Sequence, residues 1–524
     1  MSVELIKDVL KLEQVIGENI AQTIVEGDIL VPDTKPDITR VLSATGKVQL
    51  TKQEIGENKI TAEGVTYFKI LYVSEKGDQP LYSIDSSTEF KQSIDIDGVT
   101  PQMKGEVTAE VEHIDFTINN DRKIGIKAII NLASKVIEEK SIEITKDIAG
   151  IEDIQVLKES FQYTDTAGYS KSEALIKDGF EMMEEEYEIK EVLKWDLAVI
   201  ERESKITDGK VIVGGVANIE FLYIDDDYDN PLKVIKREVP FTHFVEIPNI
   251  FGDMTYHLKL TPKELYYDIK ENIRGERKIV EIESIIQADV KVMDTQSKEF
   301  LVDTYSPSQN LQISKKQMVL RESIGMSRSN VLLRETMDTP YGQPPISEVF
   351  SVNIRPILTD YTALENKMAI EGILEATVLY KAIEGAQSLY SFMQEIPFRY
   401  HGDLYGLNED MEAEVDLFVE EITYNVINGE QVDVKVSIAA LCKGYCNKSI
   451  DIISEIDVLE EDTNSLKQPS LTVYFMKDGD TLWNVAKRYH TTVQQIMETN
   501  QIEDPAAVKV GENIIIEKVH NFKL

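Results

Sequence analysis

The sequence predicts a mainly β, multidomain protein: three β-rich repeats, each a sandwich or half-barrel, followed by a small βααβ module. Three observations lead to this prediction. A set of glycine and apolar anchors recurs three times in one register. The segments around the anchors alternate polar residues with β-branched or aromatic ones, as half-buried strands do. The tail instead carries two short stretches with helical spacing of apolar residues.

The repeats are marked most clearly by Gly64, Gly215 and Gly372, which are 151 and 157 residues apart. Each glycine lies in a block that ends in a Leu-Tyr pair. In every copy a second leucine follows that leucine by 10 residues, and a phenylalanine follows by 19. The leucines and phenylalanines are Leu71, Leu81 and Phe90, then Leu222, Leu232 and Phe241, then Leu379, Leu389 and Phe398. Such regular recurrence indicates internal duplication.

The anchors could fill cores, or they could form one ligand site on each repeat. We favour cores, because the anchors are mostly apolar and carry no chemistry. The predicted repeats span residues 1–150, 151–315 and 316–460, with a linker at 461–470 and the tail module at 471–520. Each repeat is expected to have its own core, like beads on a string, with short helices in segments such as Lys171–Glu186.

The chain is strongly acidic, with 55 Lys and Arg against 93 Asp and Glu and a net charge of −38. From Leu471 onward the net charge is only −1, so the first 470 residues carry −37. A surface this negative repels phosphate groups, so nucleic acid is not an expected partner. No segment has the ~18 apolar residues of a membrane span, so direct membrane insertion is not expected. Met1–Ile20 lacks the pattern of a secretory signal, and two cysteines make no disulfide framework, which favours the cytosol.

No familiar catalytic or phosphate-binding motif is present, so no catalytic residue, cofactor or metal is expected. Cys442 and Cys446 are four residues apart in a predicted strand and could supply only half of a zinc site. The acidic runs Glu184–Glu186 and Asp225–Asp227 are expected to be solvated loops, or places where a basic protein binds. The histidines are scattered singly at His113, His243, His257, His401, His490 and His520.

The tail is predicted to fold as strand, helix, helix and strand. Leu471–Met476 and Asn513–Glu517 are the strands, and Asp480 is expected to cap the first helix. Thr492 and Gln495 form a capping-box pattern for the second helix, which Asn500 ends. The apolar stripe of the first helix is Leu482, Val485, Ala486 and Tyr489.

This tail resembles the LysM family, through the run from Gly479 to Trp483, then Ala486, Tyr489 and Asn500, and finally Val510-Gly511-Glu512. The family usually has Pro-Gly where this chain has Val510-Gly511. LysM modules commonly bind N-acetylglucosamine polymers such as peptidoglycan in a shallow groove between two loops. The resemblance implies that the partner- or glycan-binding groove comprises Gly479, Asp480, Thr481, Leu482, Trp483, Asn500, Gln501 and Ile502.

Three acidic β-rich repeats before one LysM module resemble the SipL-type clostridial spore-coat morphogenetic proteins, whose repeated domain is called SPOCS. The resemblance implies a scaffold in the mother-cell cytoplasm, at the forespore surface and spore coat. It also implies a SpoIVA-like coat-basement ATPase as partner, with LysM involvement, and other coat proteins as further partners. Peptidoglycan binding through LysM is the alternative. A wall-degrading enzyme is a third hypothesis, disfavoured because the body lacks a recognisable acid/base pair or metal centre.

Overall fold

A computed structural model describes residues 3–227, 230–383, 389–459 and 471–517. These residues form twenty strands and two short helices, so the predicted mainly β class is confirmed. The predicted linker at 461–470 lies outside the described residues, as do 518–520 of the tail module. Neither helix in the described ranges is long and apolar enough to cross a membrane.

Each repeat consists of six antiparallel strands in two three-stranded sheets. The first repeat comprises β1 Glu4–Leu30, β2 Arg40–Gly56, β3 Lys59–Val73, β4 Tyr82–Asp95, β5 Lys104–Asn120 and β6 Lys123–Ala149. One sheet has the order β2-β3-β4 and the other β1-β6-β5, so β3 and β6 are the central strands. Burial alternates along β3, where Ile60, Ala62 and Phe68 point inward, because successive side chains of a strand face opposite sides.

The other two repeats have the same strand order. The second comprises β7 Gln155–Glu181, β8 Ile189–Thr207, β9 Lys210–Asp225, β10 Leu232–Glu246, β11 Thr255–Glu271 and β12 Arg277–Tyr305. The third comprises β13 Leu311–Asp338, β14 Ile346–Leu364, β15 Lys367–Ala382, β16 Leu389–Asp403, β17 Glu412–Asn428 and β18 Gln431–Val458. The expectation of a helix at Lys171–Glu186 is wrong, because most of that segment belongs to β7 and pairs with β12.

The repeated glycine and phenylalanine are cross-strand partners. Gly215 pairs with Phe241, and the same register joins Gly64 to Phe90 and Gly372 to Phe398. A Cβ at Gly215 would lie 2.7 Å from the Phe241 ring and 2.9 Å from the Ile200 carbonyl oxygen. The glycine therefore makes room for the phenylalanine ring. This agrees with the interpretation, favoured above, that the recurring anchors fill cores.

Each repeat has an apolar interior between its two sheets, but the repeats are not independent beads. Leu42, Leu193 and Phe350 stand at equivalent positions at the starts of β2, β8 and β14, and they join one buried cluster. We call this cluster the shared apolar cluster. It also contains Leu71, Val73, Leu81, Leu222, Ile224, Leu232, Leu379 and Leu389. The recurring leucines therefore fill a core between the repeats, and the expectation of separate cores was incomplete.

A second three-way contact joins the other sheets of the repeats. It includes Leu10 from repeat 1, Phe161 and Phe300 from repeat 2, and Leu320 and Ile450 from repeat 3. Polar contacts also link every pair of repeats. They include Lys291–Glu13 at 2.6 Å, Arg328–Glu201 at 2.8 Å and Lys135–Glu414 at 2.8 Å. The three repeats therefore form a closed ring.

The ring surrounds a cavity of about 2420 Å³ that is partly open to solvent, which we call the central chamber. Residues of all three repeats line it. Along β1 its lining begins at Glu13, soon after Leu10, and along β2 it begins at Thr45, soon after Leu42. The chamber therefore lies between the two three-way contacts.

We predict that Leu193→Ala destabilises all three repeats together. Leu193 is fully buried in the shared apolar cluster, so its truncation should lower the free energy of unfolding by about 2–5 kcal/mol. Hydrogen exchange should accelerate in the strands of repeats 1 and 3 as well as repeat 2. The control Leu332→Ala removes an exposed leucine and should change stability by less than about 0.5 kcal/mol. Acceleration confined to repeat 2 would contradict the shared core.

Candidate functional site

The tail module has the predicted βααβ order. It comprises β19 Leu471–Phe475, α1 Leu482–Arg488, α2 Val493–Asn500 and β20 Asn513–Glu517. The strands pair antiparallel, and the predicted stripe packs inward with Leu482, Val485 and Ala486 buried. Thr492 and Gln495 form the predicted capping box of α2.

Asp480 fixes the first loop but does not cap α1, so the capping expectation was wrong. One of its carboxylate oxygens accepts hydrogen bonds from the Tyr474 hydroxyl at 2.6 Å and the Lys477 backbone N–H at 2.9 Å. These bonds lower the pKa of Asp480 below its ordinary value. Thr481 is the N-cap instead, and its hydroxyl accepts from the Asn484 backbone N–H at 3.2 Å.

Asn500 joins α2 to β20. Its amide nitrogen donates to the carbonyl oxygens of Ile496 and Ile515, and its amide oxygen accepts from the Ile515 N–H at 2.7 Å. Gln501 then takes the left-handed conformation at the helix C-terminus. Ile502 donates its N–H to the Met497 carbonyl at 3.0 Å and packs on the module core.

The end of the second loop lies beside the start of the first. The Met476 N–H donates to the Glu512 carbonyl, and the Gly511 N–H donates to the Met476 carbonyl at 2.7 Å. Of the eight predicted groove residues, Gly479, Thr481 and Gln501 are exposed and able to meet a ligand. Asp480, Leu482, Asn500 and Ile502 are tied to the module's own structure. Ligand binding by this set stays a prediction.

Trp483, the eighth predicted residue, faces the body instead. Its indole N–H donates to the Asp303 carboxylate at 2.8 Å, and its ring meets Tyr305 edge-on with centroids 4.9 Å apart. Lys487 donates to both Asp303 oxygens at 2.6 and 2.8 Å. The Tyr305 hydroxyl donates to the Thr491 carbonyl at 2.9 Å, so both ends of α1 are held against β12.

The electrostatics of this docking contact favour an ionised Asp303. Burial by itself raises the pKa of the Asp303 carboxyl, but the hydrogen bonds from Lys487 and Trp483 outweigh burial and leave the pKa below its ordinary value. Lys315, at the start of repeat 3, approaches the same carboxylate at 3.9 Å. Asp303 therefore connects the tail module with two repeats.

Sequence reasoning missed Asp303 and Tyr305, although the repeat register could have pointed to them. The ladders place Asp147, Asp303 and Glu455 at equivalent positions, each next to a bulge. Two residues later the repeats differ, with Ala149, Tyr305 and Asp457. Among these three positions the aromatic ring occurs in repeat 2 alone, and repeat 2 is the one against which α1 of the tail module packs.

Other candidate sites are weak. Cys442 is buried, and burial raises the pKa of its thiol to about 11, so it is protonated at neutral pH. Glu184 bonds to Arg274, while Asp225 is buried at the end of β9 rather than solvated. Across the described ranges no three His, Cys, Asp or Glu side chains gather as metal ligands. His520 lies outside those ranges.

Two known domain families match the chain, and their order agrees with the three repeats and the tail module. The SipL SPOCS-domain family matches residues 37–119, 188–270 and 345–427, and the LysM-domain family matches 476–517. The chain has the SipL-type architecture. Each SPOCS match runs from just before the first strand of one sheet to the end of β5, β11 or β17. The two long strands of the other sheet, such as β1 and β6 in repeat 1, lie beyond the matched residues.

Two curated relatives from Bacillus subtilis (strain 168) match through the LysM region. One is a cortical fragment-lytic enzyme, 44% identical over 52 residues, which are 10% of this chain and 12% of the relative. The other is the N-acetylmuramoyl-L-alanine amidase XlyA, 44% identical over 43 residues, which are 8% of this chain and 14% of the relative. The chain thus spans only a small part of either enzyme, and the SPOCS and LysM domains are not catalytic domains. No solved structure matches the chain.

We predict that Asp303→Asn loosens the LysM domain from the body. The change keeps the side-chain shape but removes the charge, and hydrogen bonds to charged groups contribute about 1.5–3 kcal/mol. Trp195→Phe leaves Trp483 as the remaining tryptophan of the two in the chain, so fluorescence can follow it. Asp303→Asn should shift its emission to longer wavelength and increase quenching by acrylamide.

Glu455→Gln is the matched control, because Glu455 occupies the equivalent ladder position in repeat 3 and is exposed. Its fluorescence should equal that of the parent. Since docking lowers the pKa of Asp303, the contact should be complete at pH values above the ordinary carboxyl pKa of about 3.9. It should weaken as the pH falls through the lower pKa of the docked state. Equal quenching in both variants would rule out this role for Asp303.

Proposed function

We propose that this chain is a non-catalytic adaptor for spore-coat assembly, which presents its LysM domain to a SpoIVA-like coat-basement ATPase. The proposal rests on the docking of α1 against Asp303 and Tyr305. A module held in this way has a fixed orientation on a large closed ring, which suits an assembly scaffold better than a freely tethered anchor. SPOCS repeats with a LysM domain support a role in sporulation.

The free face of the LysM sheet supports a protein partner. Leu471, Val473 and Phe475 alternate along β19 and are each more than half exposed, and Ile515 lies opposite Val473. We call these four residues the outer apolar face. An exposed cluster of apolar side chains is typical of a surface that contacts another protein. The near-neutral module also avoids the repulsion that the acidic body would exert on another acidic protein.

The proposed location is the mother-cell cytoplasm at the forespore surface and spore coat. An adaptor there would use its LysM domain to reach the basement ATPase and its ring to reach other coat proteins. The location and both classes of partner rest on the resemblance to SipL-type proteins, and imaging tests the location directly.

We predict that Val473→Asp combined with Phe475→Asp abolishes recovery of the ATPase from sporulating cells and disperses the protein from the forespore. Both side chains are exposed, so the domain should still fold. The matched control is Val319→Asp combined with Leu332→Asp, which adds the same charge at exposed apolar sites on β13. Loss of recovery in the control as well, or normal recovery with both pairs, would count against the outer apolar face.

A second function, binding of peptidoglycan, is favoured by the open position of the two loops and by the match to two wall-degrading enzymes. Gly479, Thr481 and Gln501 are exposed where a glycan groove is expected. Such binding could coexist with protein docking, because the loops and the outer apolar face use different residues.

Pelleting with purified peptidoglycan tests this second function. Thr481→Asp keeps an N-capping side chain, and together with Gln501→Glu it places two negative charges in the groove. If the groove binds glycan, we expect affinity to fall about tenfold, which corresponds to about 1.4 kcal/mol. Asn484→Asp with Asn513→Asp adds the same charge at exposed sites outside the predicted groove and should leave pelleting unchanged. A parent protein that does not pellet removes the hypothesis.

A further inference from the structure

The central chamber differs in charge from the rest of the chain. Its lining contains eleven Lys and Arg residues and nine Asp and Glu residues, whereas the whole chain carries a net charge of −38. Side chains of both signs therefore meet in the chamber with a small positive excess. The acidic excess of the chain lies elsewhere, so an anionic ligand is attracted to the chamber more than to the outer surface.

Strand edges form much of the chamber wall. The consecutive residues from Thr261 to Tyr266 on β11 all line it. Successive side chains of a strand point to opposite faces, so a continuous run can line one cavity only where the strand presents its edge. β11 is the outer strand of its sheet, in the order β11-β12-β7. In the part of the chain that the structure describes, β11 forms no ladder on the side away from β12, so the edge from Thr261 to Tyr266 offers backbone N–H and C=O groups to an added strand.

At three positions β11 carries Lys or His where β5 and β17 carry Glu, Asp or Thr. Its bulge lies between Pro262 and Glu264, and bulges at the same position in β5 and β17 fix the equivalence. The equivalent residues are His257, Glu106 and Glu414, then Lys259, Thr108 and Asp416, then Lys263, Glu112 and Glu420. These positions are equivalent in three ladders of the same strand order, so the strand order does not require this difference.

Three chamber ammonium groups have no carboxylate partner among the described residues. They belong to Lys259 and Lys263 on β11 and to Lys47 on β2. Lys47 lies over the Trp195 ring at 5.2 Å, and burial lowers the pKa of its ammonium group. By contrast, Lys135 and Lys291, which also line the chamber, are paired with glutamates. The three unpaired groups are free to meet an incoming anion.

We propose that the central chamber binds an extended acidic peptide segment, which adds as a strand along the β11 edge and places carboxylates on Lys259 and Lys263. The chamber far exceeds the 300–1,000 Å³ of a typical small-molecule site, so a polymer segment fits it better. Carboxylates such as Glu106 and Glu264 interrupt the basic groups, which disfavours a continuous polyphosphate. Exposed rings of Tyr169 and Tyr266 supply apolar contacts for the peptide's other side chains.

Protection of an edge against pairing does not explain the lysines. Charged residues and proline often block sheet edges, and Pro262 removes one N–H from β11. β5 and β17 also line the chamber, and the positions equivalent to Lys259 and Lys263 are Thr108 and Glu112 on β5 and Asp416 and Glu420 on β17. A carboxylate bound in the chamber explains why Lys259 and Lys263 on β11 are positively charged.

Fluorescence anisotropy on the full chain tests the proposal. The probe is a fluorescein-labelled peptide of about twelve residues with alternating Glu and Val, long enough to follow β11 from Thr255 to Tyr266. We expect saturable binding that weakens as salt is raised, because the contacts are partly ionic. A peptide with Lys in place of Glu should bind at least about tenfold more weakly, and inorganic tripolyphosphate should not displace the Glu probe.

Lys259→Glu with Lys263→Glu should weaken binding of the Glu probe at least about tenfold. Lys205→Glu with Lys316→Glu makes the same change of net charge at exposed sites outside the chamber and should change affinity less than about twofold. If the chamber pair lowers the melting temperature, Lys259→Gln with Lys263→Gln replaces it. Absence of saturable binding, equal binding of the Lys peptide, displacement by tripolyphosphate, or an equal loss in the control pair would each overturn the proposal.

Discussion

Burial of leucines where three repeats meet is the constraint on which the rest of this molecule depends. Leu71, Leu222 and Leu379 reach the shared apolar cluster from the ends of equivalent strands. A repeat alone would leave these side chains in water, at a cost of about 1.5–3 kcal/mol for each large apolar side chain. The closed ring removes that cost for all three repeats at once, and the second three-way contact closes the other sheets. The central chamber is the space between these two contacts.

The position of the LysM domain follows from the same ring. Asp303 lies near the end of β12, where Lys315 of repeat 3 approaches it, so the docking contact is built at a junction between repeats. Lys487 and Trp483 then satisfy a carboxylate that burial alone would disfavour. Since a half-satisfied buried charge is costly, the docked LysM domain and the local packing of repeats 2 and 3 stabilise each other. The domain's outer apolar face and its two loops remain open.

The sequence predicts what depends on local patterns. Alternation shows that Ile60 and Phe68 face inward, and the spacing around Thr492 shows where a helix begins. Alternation cannot tell which surface covers a buried side chain, so the recurring leucines seemed to belong to separate cores. The helix expected at Lys171–Glu186 is wrong because a long ladder with β12 stabilises the extended form, and tertiary pairing outweighs local preference. Asp480 was expected to cap α1 because its side chain suits that position. Its carboxylate instead accepts a hydrogen bond from the Tyr474 hydroxyl, and the next residue, Thr481, is the cap.

Covalent linkage of the repeats explains how a ring with threefold pseudosymmetry can carry single sites. A homotrimer would present three identical strand edges to the chamber and three identical docking sites for a LysM domain, because symmetry repeats every residue. In one chain the copies can diverge while the shared apolar cluster keeps them together. Repeat 2 has diverged twice: Tyr305 supports the LysM domain, and Lys259 and Lys263 make one chamber edge basic. The apolar anchors are alike in the three repeats and hold the ring together. The polar positions outside the shared apolar cluster differ between the repeats, and these differences create the single sites.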